Sequence, residues 1–552
     1  MTRTRPSTAR HSDIQAKISI TIKMIIFKHF FFSACALTVL ACATAQAQDS
    51  VKSKTQTTNT AAAERLVHPA MGTTAKAQGG ELTLTIIKKH VNYGGSPKEY
   101  RDPYVNSPKS ANIHPDGTKY YVNSLEGCAT VVYDMKTHER LKVIKYDFKD
   151  GKDDALWSKP SQFYPFTHYT HNLNTFQGKP VEATFSHGGR YLWIPFYRRT
   201  YDLNAQDPSA VAVIDTKTDQ IVKLMETGPL PKMVATSHDG KHVAITHWGN
   251  NTVGLVNVAS LNPDEWFHEK LLVVDYVLPL NFSLKESVDR DNKSGYCLRG
   301  TVFTPDDKYL LVGCMGGNGG IAVINMETQE YLGRVLGMMA NVRHLVIRDG
   351  YLYLSVNKAG YVQRIKLDKF MAAAKAMAGK TTNVGGWEEC KVGAGARTIE
   401  ISPSGHFVFA ACNLASKLYV VDTRTMKAVA NIDVDSYPVG LDISNDGRYV
   451  IVTSQGRGTA GTSGNAVNIY EVEYAEPEPV LKNTDGAAVL ETLENKDSAD
   501  LGKEEKAGGN LTAMLDGEDG GGMSPVAIGA GVVIVLAIVG LLVRRRQKKA
   551  QG

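Results

Sequence analysis

No dinucleotide-binding fingerprint, Walker loop, His-Glu-x-x-His or Gly-x-Ser-x-Gly is found in this chain of 552 residues. The common sequence marks of Rossmann, P-loop, zincin and serine-hydrolase chemistry are therefore missing. Basic excess is also small. With 62 Lys and Arg against 56 Asp and Glu, the formal charge is +6, and no long basic run gathers it, so bulk charge gives no reason to expect nucleic-acid binding. Cysteine is scarce, at seven residues, and neither Cys-x-x-Cys nor Cys-x-x-Cys-His occurs, which removes the thioredoxin-type and c-type haem motifs. No cofactor and no metal are expected.

The two ends differ from the middle. Lys28 and His29 precede an apolar run from Phe30 to Leu40, and Ala45-Gln46-Ala47 has the small-x-small pattern of a signal-peptidase site. Residues 1–47 read as a secretory leader, with Met24 an alternative start and Cys42 in a poor lipoprotein box, because Leu40 stands where a small residue is usual. Residues 48–80 read as a flexible segment. From 475 to 524 the chain is acidic and rich in Pro and Gly, as expected of a disordered linker. Pro525–Val543 is apolar over about a bilayer's width, and Arg544, Arg545, Arg546, Lys548 and Lys549 follow it. The expected layout is a transmembrane helix at 525–543, a basic cytoplasmic tail at 544–552 and an exported domain held outside. Gly520-Gly521-Gly522, the apolar run and the Arg cluster also resemble a processed sorting signal. The exported region would then be periplasmic or at the cell surface.

What fills residues 81–474 is repetition. A short apolar strand, a turn of Pro, Asp and Gly, a second strand, a polar loop and further strands recur in one order. Turns at His114-Pro115-Asp116-Gly117, Ser237-His238-Asp239-Gly240, Thr304-Pro305-Asp306-Asp307, Ser402-Pro403-Ser404-Gly405 and Ser444-Asn445-Asp446-Gly447 sit between alternating strands. First strands begin near residues 109, 181, 232, 299, 343, 397 and 439, giving seven units. Four short strands at a period of roughly 40 residues build a propeller blade. The last unit is one strand short, and the lone alternating strand Glu81–Lys88 is expected to complete it and close the ring. Trp157–Asn174 and Leu261–Asn292 read as insertions, and the Ala- and Met-rich stretch Phe370–Thr382 as a short helix.

The phrases KYYVNSLEGCATVVYDMKTHERLKVI (119–144) and VFAACNLASKLYVVDTRTMKAVANI (408–432) resemble the YVTN-type repeat of seven-bladed propellers, a family with YncE-like and lactonase-like members. The resemblance implies an all-β, seven-bladed propeller over 81–474. It leaves function open among surface proteins, binders and lactonase-like enzymes.

Aligning the units exposes one column. Six residues before the Pro-like position of each turn stand Lys109, Val181, Lys232, Arg299, Val342 (with Arg343 next), Arg397 and Val439. Innermost strands converge on the channel, so Lys109, Lys232, Arg299, Arg343 and Arg397 are expected to ring an anion-binding mouth. The function expected is a membrane-tethered binding module for an anionic small molecule, glycan or protein. The alternatives are a surface-assembly protein that uses its propeller faces, and a lactonase-like enzyme. His168 and His171 offer weak metal-ligand spacing, and surface histidines are the commoner outcome. A hairpin with constant index sum through Phe303 and Lys308 would set Cys297 opposite Cys314, a candidate disulfide.

Overall fold

Short alternating strands separated by Asp, Gly and Pro turns fold here into seven sheets, antiparallel but for one added strand. The computed structural model describes residues 66–168, 172–290, 292–456 and 464–481, with Glu491. The expected leader at 1–47, most of the expected acidic linker, the expected transmembrane segment 525–543 and the expected basic tail lie outside those residues. Among the described residues, no helix is long and apolar enough to cross a membrane.

Blade 1 holds Pro108–Ile113, Lys119–Ser124, Ala129–Asp134 and Arg140–Lys145. Blades 3 to 6 begin with Pro231–Thr236, Leu298–Phe303, Val342–Arg348 and Ala396–Ile401, close to the expected first strands. Blade 2 departs from the pattern. Its inner edge is split between Thr184–Ser186 and Phe176–Pro180, both paired with Tyr191–Arg199. The stretch Leu261–Asn292 is not wholly an insertion, because Phe267–Val273 is the outer strand of blade 3. The helix runs over Leu367–Lys375, earlier than expected, and buries Phe370, Met371 and Ala374. Thr381–Asn383, at the end of the expected helix, instead pairs parallel with Glu330–Leu336 and gives blade 4 a fifth strand.

Ring closure is as the strand count required. Leu82–Val91 pairs antiparallel with Asn465–Tyr474, the outer of three strands supplied by the C-terminal unit. Thr74–Lys76 adds a further strand outside it, which the sequence did not announce. Apolar side chains fill the seams between neighbouring blades. Leu311, Ile321 and Val335 of blade 4 meet Leu345, Leu352 and Leu354 of blade 5, all buried.

Six inner hairpins share a register shift near their start, the mark of a β-bulge. It falls between Pro108 and Ala111, Pro231 and Met233, Leu298 and Thr301, Val342 and Leu345, Ala396 and Ile399, and Pro438 and Gly440. A bulge re-aims side chains and breaks the constant index sum. The expected pairing of Cys297 with Cys314 fails at the turn, and the bulge restores only part of the register lost there. The turn after Phe303 is wider than assumed, so Phe303 pairs with Leu310, and past the bulge Leu298 sits opposite Cys314. All five cysteines of the described residues are thiols. Burial pushes Cys314 and Cys412 up to about 12, so neither is a thiolate at neutral pH.

Candidate functional site

Every cation of the aligned column occupies the second residue of an innermost strand, beside the bulge. Lys109 follows Pro108, Lys232 follows Pro231, Arg299 follows Leu298, Arg343 follows Val342 and Arg397 follows Ala396. Innermost strands of a propeller all run the same way, so these positions stand at one mouth of the channel. Lys109, Lys232, Arg299 and Arg397 are buried, between 3% and 9% exposed, and Arg343 is half-buried. Lys109 shows how close they are. Its ammonium is held well below the ordinary lysine range, first by burial and then by the charges of Arg397 and Arg299, with Glu182 opposing and Lys232 adding to the effect.

Four further groups, invisible in the column, complete the mouth. Glu182 lies between the two halves of the split inner edge of blade 2, and its Oε1 lies 3.9 Å from Arg299 Nη1. Trp248 lies under the cations, with Lys232 Nζ 5.3 Å, Arg299 5.1 Å and Arg343 6.0 Å from its ring centre. Tyr197 faces Lys232 Nζ at 4.0 Å. Negative ring faces offset part of the repulsion among buried like charges. Arg290 comes from the insertion, accepts Trp248 Nε1–H on its carbonyl at 3.0 Å and donates Nη2–H to Gly249 O at 3.1 Å.

His344, next to Arg343, donates Nδ1–H to Ile399 O at 3.0 Å, which leaves Nε2 as the acceptor nitrogen. Burial presses this imidazole down to about 4, against the pull of Glu182. It is neutral at physiological pH.

Toward the far ends of the inner strands the chemistry reverses. Glu400 in blade 6 and Asp442 in blade 7 occupy matching register positions. Asp442 accepts Ile113 N–H at 2.6 Å and Ile443 N–H at 2.8 Å. Burial raises Asp442 to about 7, and burial with the neighbouring Asp442 raises Glu400 as well, with Arg348 opposing. The channel is thus cationic at one mouth and carries protonatable carboxyls toward the other.

These groups give opposite pH signatures. Buried His90, His247 and His344 are lowered to about 3, 3 and 4, so below about pH 6.5 the unfolded chain binds protons that the folded chain refuses. Stability therefore falls on acidification. Asp442 and Glu400 act the other way. Their raised values stabilise the fold fully below the ordinary carboxyl pKa, and that contribution is lost as pH rises through about 7 for Asp442. Asp442→Asn is accordingly expected to lose melting temperature relative to the unmutated protein progressively from pH 7 down to pH 4. A difference independent of pH over that window in thermal melts would show that Asp442 takes up no proton there.

The metal reading of His168 and His171 gains nothing. His168 Nδ1 lies 3.0 Å from Asp207 Oδ1, and His171 is outside the described residues. Among the described residues, no group of three or more His, Cys, Asp and Glu could hold a metal ion. The run Gly456–Gly461 does have Gly-x-Gly-x-x-Gly spacing after a strand. The chain then enters the strand Asn465–Tyr474, so no helix N-terminus follows to receive a pyrophosphate.

The family model described as "Lactonase, 7-bladed beta-propeller" matches residues 183–476, more than half of the chain. The chain belongs to this family. Lys232, Arg299, Arg343, His344 and Arg397 lie within the matched range, whereas Lys109 and Glu182 precede it. Among solved structures, Kuenenia stuttgartiensis hydrazine synthase aligns at 13% identity and a TM-score of 0.45, covering 65% of this chain and 96% of that one. The β-propeller domain of Myceliophteria thermophila Cps50 (Swd1) aligns at 12% and 0.45, covering 67% and 97%. No curated protein matches the sequence.

Proposed function

We propose that the cationic channel mouth binds a small anionic molecule, and that the propeller is an exported, membrane-tethered binding module. The observation that carries the reading is the burial of Lys109, Lys232, Arg299 and Arg397 within electrostatic reach of one another, with Glu182 as the acidic neighbour. Basic groups gathered at one mouth raise the local positive potential, which attracts a small anion. Arg299 and Arg397 supply the planar fork that suits carboxylate or phosphate. Export and tethering rest on the leader pattern at 1–47 and the apolar run with its Arg cluster at 525–549. The YVTN-like phrasing of the repeats accords with such a propeller.

Family membership favours a second reading, a lactone hydrolase acting at the same mouth. Water would lose a proton to His344 Nε2 as it attacks the lactone carbonyl. The ring C–O bond would then break, and the alkoxide would recover the proton. The cations would stabilise first the oxyanion and then the carboxylate product. Both readings place an anion at the ring, and turnover separates them. Calorimetric titration with inorganic phosphate and with gluconate is expected to show binding that weakens as salt rises. Absence of both heats would overturn the binding reading. Titrimetric release of acid from δ-gluconolactone, lost in His344→Gln, would establish the hydrolase instead.

A further inference from the structure

A cleft of about 740 Å³ opens on the propeller's flank between blades 2 and 3, away from the inner strands. One wall is anchored to the outer strand of blade 2, and the other is held by bonds within its own turn. On one side, Ser158 N–H donates to Leu224 O at 2.8 Å and Ser161 N–H to Glu226 Oε2 at 2.9 Å, fixing Trp157 and Phe163 against the strand Gln220–Thr227. On the other, Asn262 Oδ1 accepts Asp264 N–H at 3.1 Å and Trp266 Nε1–H reaches Ser260 O at 2.7 Å, fixing the turn that leads into Phe267 and His268. Lys223 Nζ spans the two walls to Asp264 Oδ1 at 2.6 Å. A cleft held this way needs little ordering when a ligand arrives.

Its lining differs from the channel mouth in kind. Lys159 and Lys223 are balanced by Asp264 and Glu265, so no net charge selects an ion. Trp157, Phe163 and Phe267 bring aromatic surface to the cleft, and Phe267 is 53% exposed. Buried polar nitrogens stand among them. Both ring nitrogens of His268 and the indole Nε1 of Trp157 have no hydrogen-bond partner among the described residues. Buried donors and acceptors of this kind are normally satisfied in native proteins, by protein, water or ligand. The His268 ring is kept neutral by burial, which lowers it to about 4, so it offers one donor and one acceptor rather than a charge. Aromatic faces, neutral donors and acceptors and zero net charge together suit a hydroxylated ring: the sugar C–H face lies on an aromatic plane and its hydroxyls pair at the edge.

We infer that the cleft between blades 2 and 3 is a binding site for a neutral oligosaccharide, separate from the channel mouth. The purified full chain would be applied to an array of neutral, sulfated and uronic-acid oligosaccharides. The best neutral binder would then be titrated against the unmutated protein, Phe267→Ala, His268→Phe and the channel doublet Arg299→Gln with Arg397→Gln. Binding of neutral oligosaccharides is expected, with about tenfold or greater loss of affinity in Phe267→Ala and His268→Phe and none in the channel doublet. His268→Phe keeps the ring and removes both nitrogens; if it fails to fold, the exposed Phe267→Ala decides alone. The inference is overturned if no neutral oligosaccharide binds, if charged ones are preferred, if Phe267→Ala binds as tightly as the unmutated protein, or if the channel doublet abolishes binding. Because the doublet acts only at the mouth, failure of the cleft and failure of the anion site give different patterns.

Discussion

Replacing Arg299 and Arg397 together by glutamine is expected to abolish anion binding at the channel mouth while the propeller still folds. Both guanidinium groups are buried, at 3% and 6% exposure, where water screens them little. A hydrogen bond to a charged group contributes roughly 1.5–3 kcal/mol, so losing two costs about 3–6 kcal/mol, or on the order of 10² to 10⁴ in affinity. Folding should survive because removing two of several buried like charges relieves repulsion. That relief offsets the loss of the Arg397 Nε–H bond to Val439 O at 3.1 Å. Lys109 adds a second readout. Its ammonium is depressed partly by those same two arginines, and an anion among them would raise it again. Titrations in buffers of different ionisation enthalpy should therefore show proton uptake on binding to the unmutated protein. Unchanged affinity for phosphate and gluconate in the doublet, measured by calorimetry on protein that melts normally, would remove the mouth from consideration.

The part of this site legible in the sequence is the part written in the repeat. Lys109, Lys232, Arg299, Arg343 and Arg397 recur because each blade reuses one strand start, and alignment of the turns alone brings them into a column. Glu182 and His344 were not legible because each belongs to a single blade and follows no period. Trp248 was hidden differently, since it lies beyond a second strand, His242–His247, whose end the alignment did not use. Arg290 sits in an insertion, where no repeat position exists to predict a neighbour. The fold divides along the same line. Seven blades and the closing strand followed from strand counting, a consequence of the unpaired edge that an open ring would leave. The bulges did not follow, because a single extra residue near a strand start leaves the alternation of apolar residues almost unchanged. The failed Cys297–Cys314 pairing has its cause in the turn instead. A turn after Phe303 wider than assumed, harmless to a count of blades, moves a cysteine off its partner, and the bulge only partly restores the register. Glu400 and Asp442 were passed over because two acids in separate units look like solvated strand residues until their register positions coincide.

Deleting Leu82–Val91 from the full chain should prevent stable folding of the whole propeller, not only of blade 7. The strand pairs with Asn465–Tyr474 along nearly its whole length, from Leu82 opposite Tyr474 to Val91 opposite Ala466. Leu82, Leu84, Ile86 and Val91 are each at most 1% exposed. At roughly 1.5–3 kcal/mol per buried aliphatic side chain, these four contribute about 6–12 kcal/mol, comparable with the ~5–15 kcal/mol that holds a typical domain together. Polar contacts add to the loss. Lys89 Nζ, itself 4% exposed, lies 2.7 Å from Asp435 Oδ2, and His90 Nε2 lies 2.9 Å from Tyr120 of blade 1. Without Lys89 the wholly buried Asp435 would keep His68, Asn468 and Tyr93 as side-chain partners but lose its ammonium, a change that typically costs about 3–5 kcal/mol for a buried charge losing its counter-charge. The consequences reach both neighbours of the seam, because blade 7 packs on blade 6 through Leu441, Val450 and Val452 against Phe409 and Leu418. A milder probe is Lys89→Met, which keeps the strand and removes only the charge. It should lower the melting temperature clearly while leaving a cooperative transition. The deletion should instead give no cooperative melt and an aggregated profile on size exclusion, since it exposes the edge of Asn465–Tyr474 to pairing with other chains. A deletion variant that melts at the temperature of the unmutated protein would mean that the ring is held shut by the seams between blades and not by the strand that completes the last one.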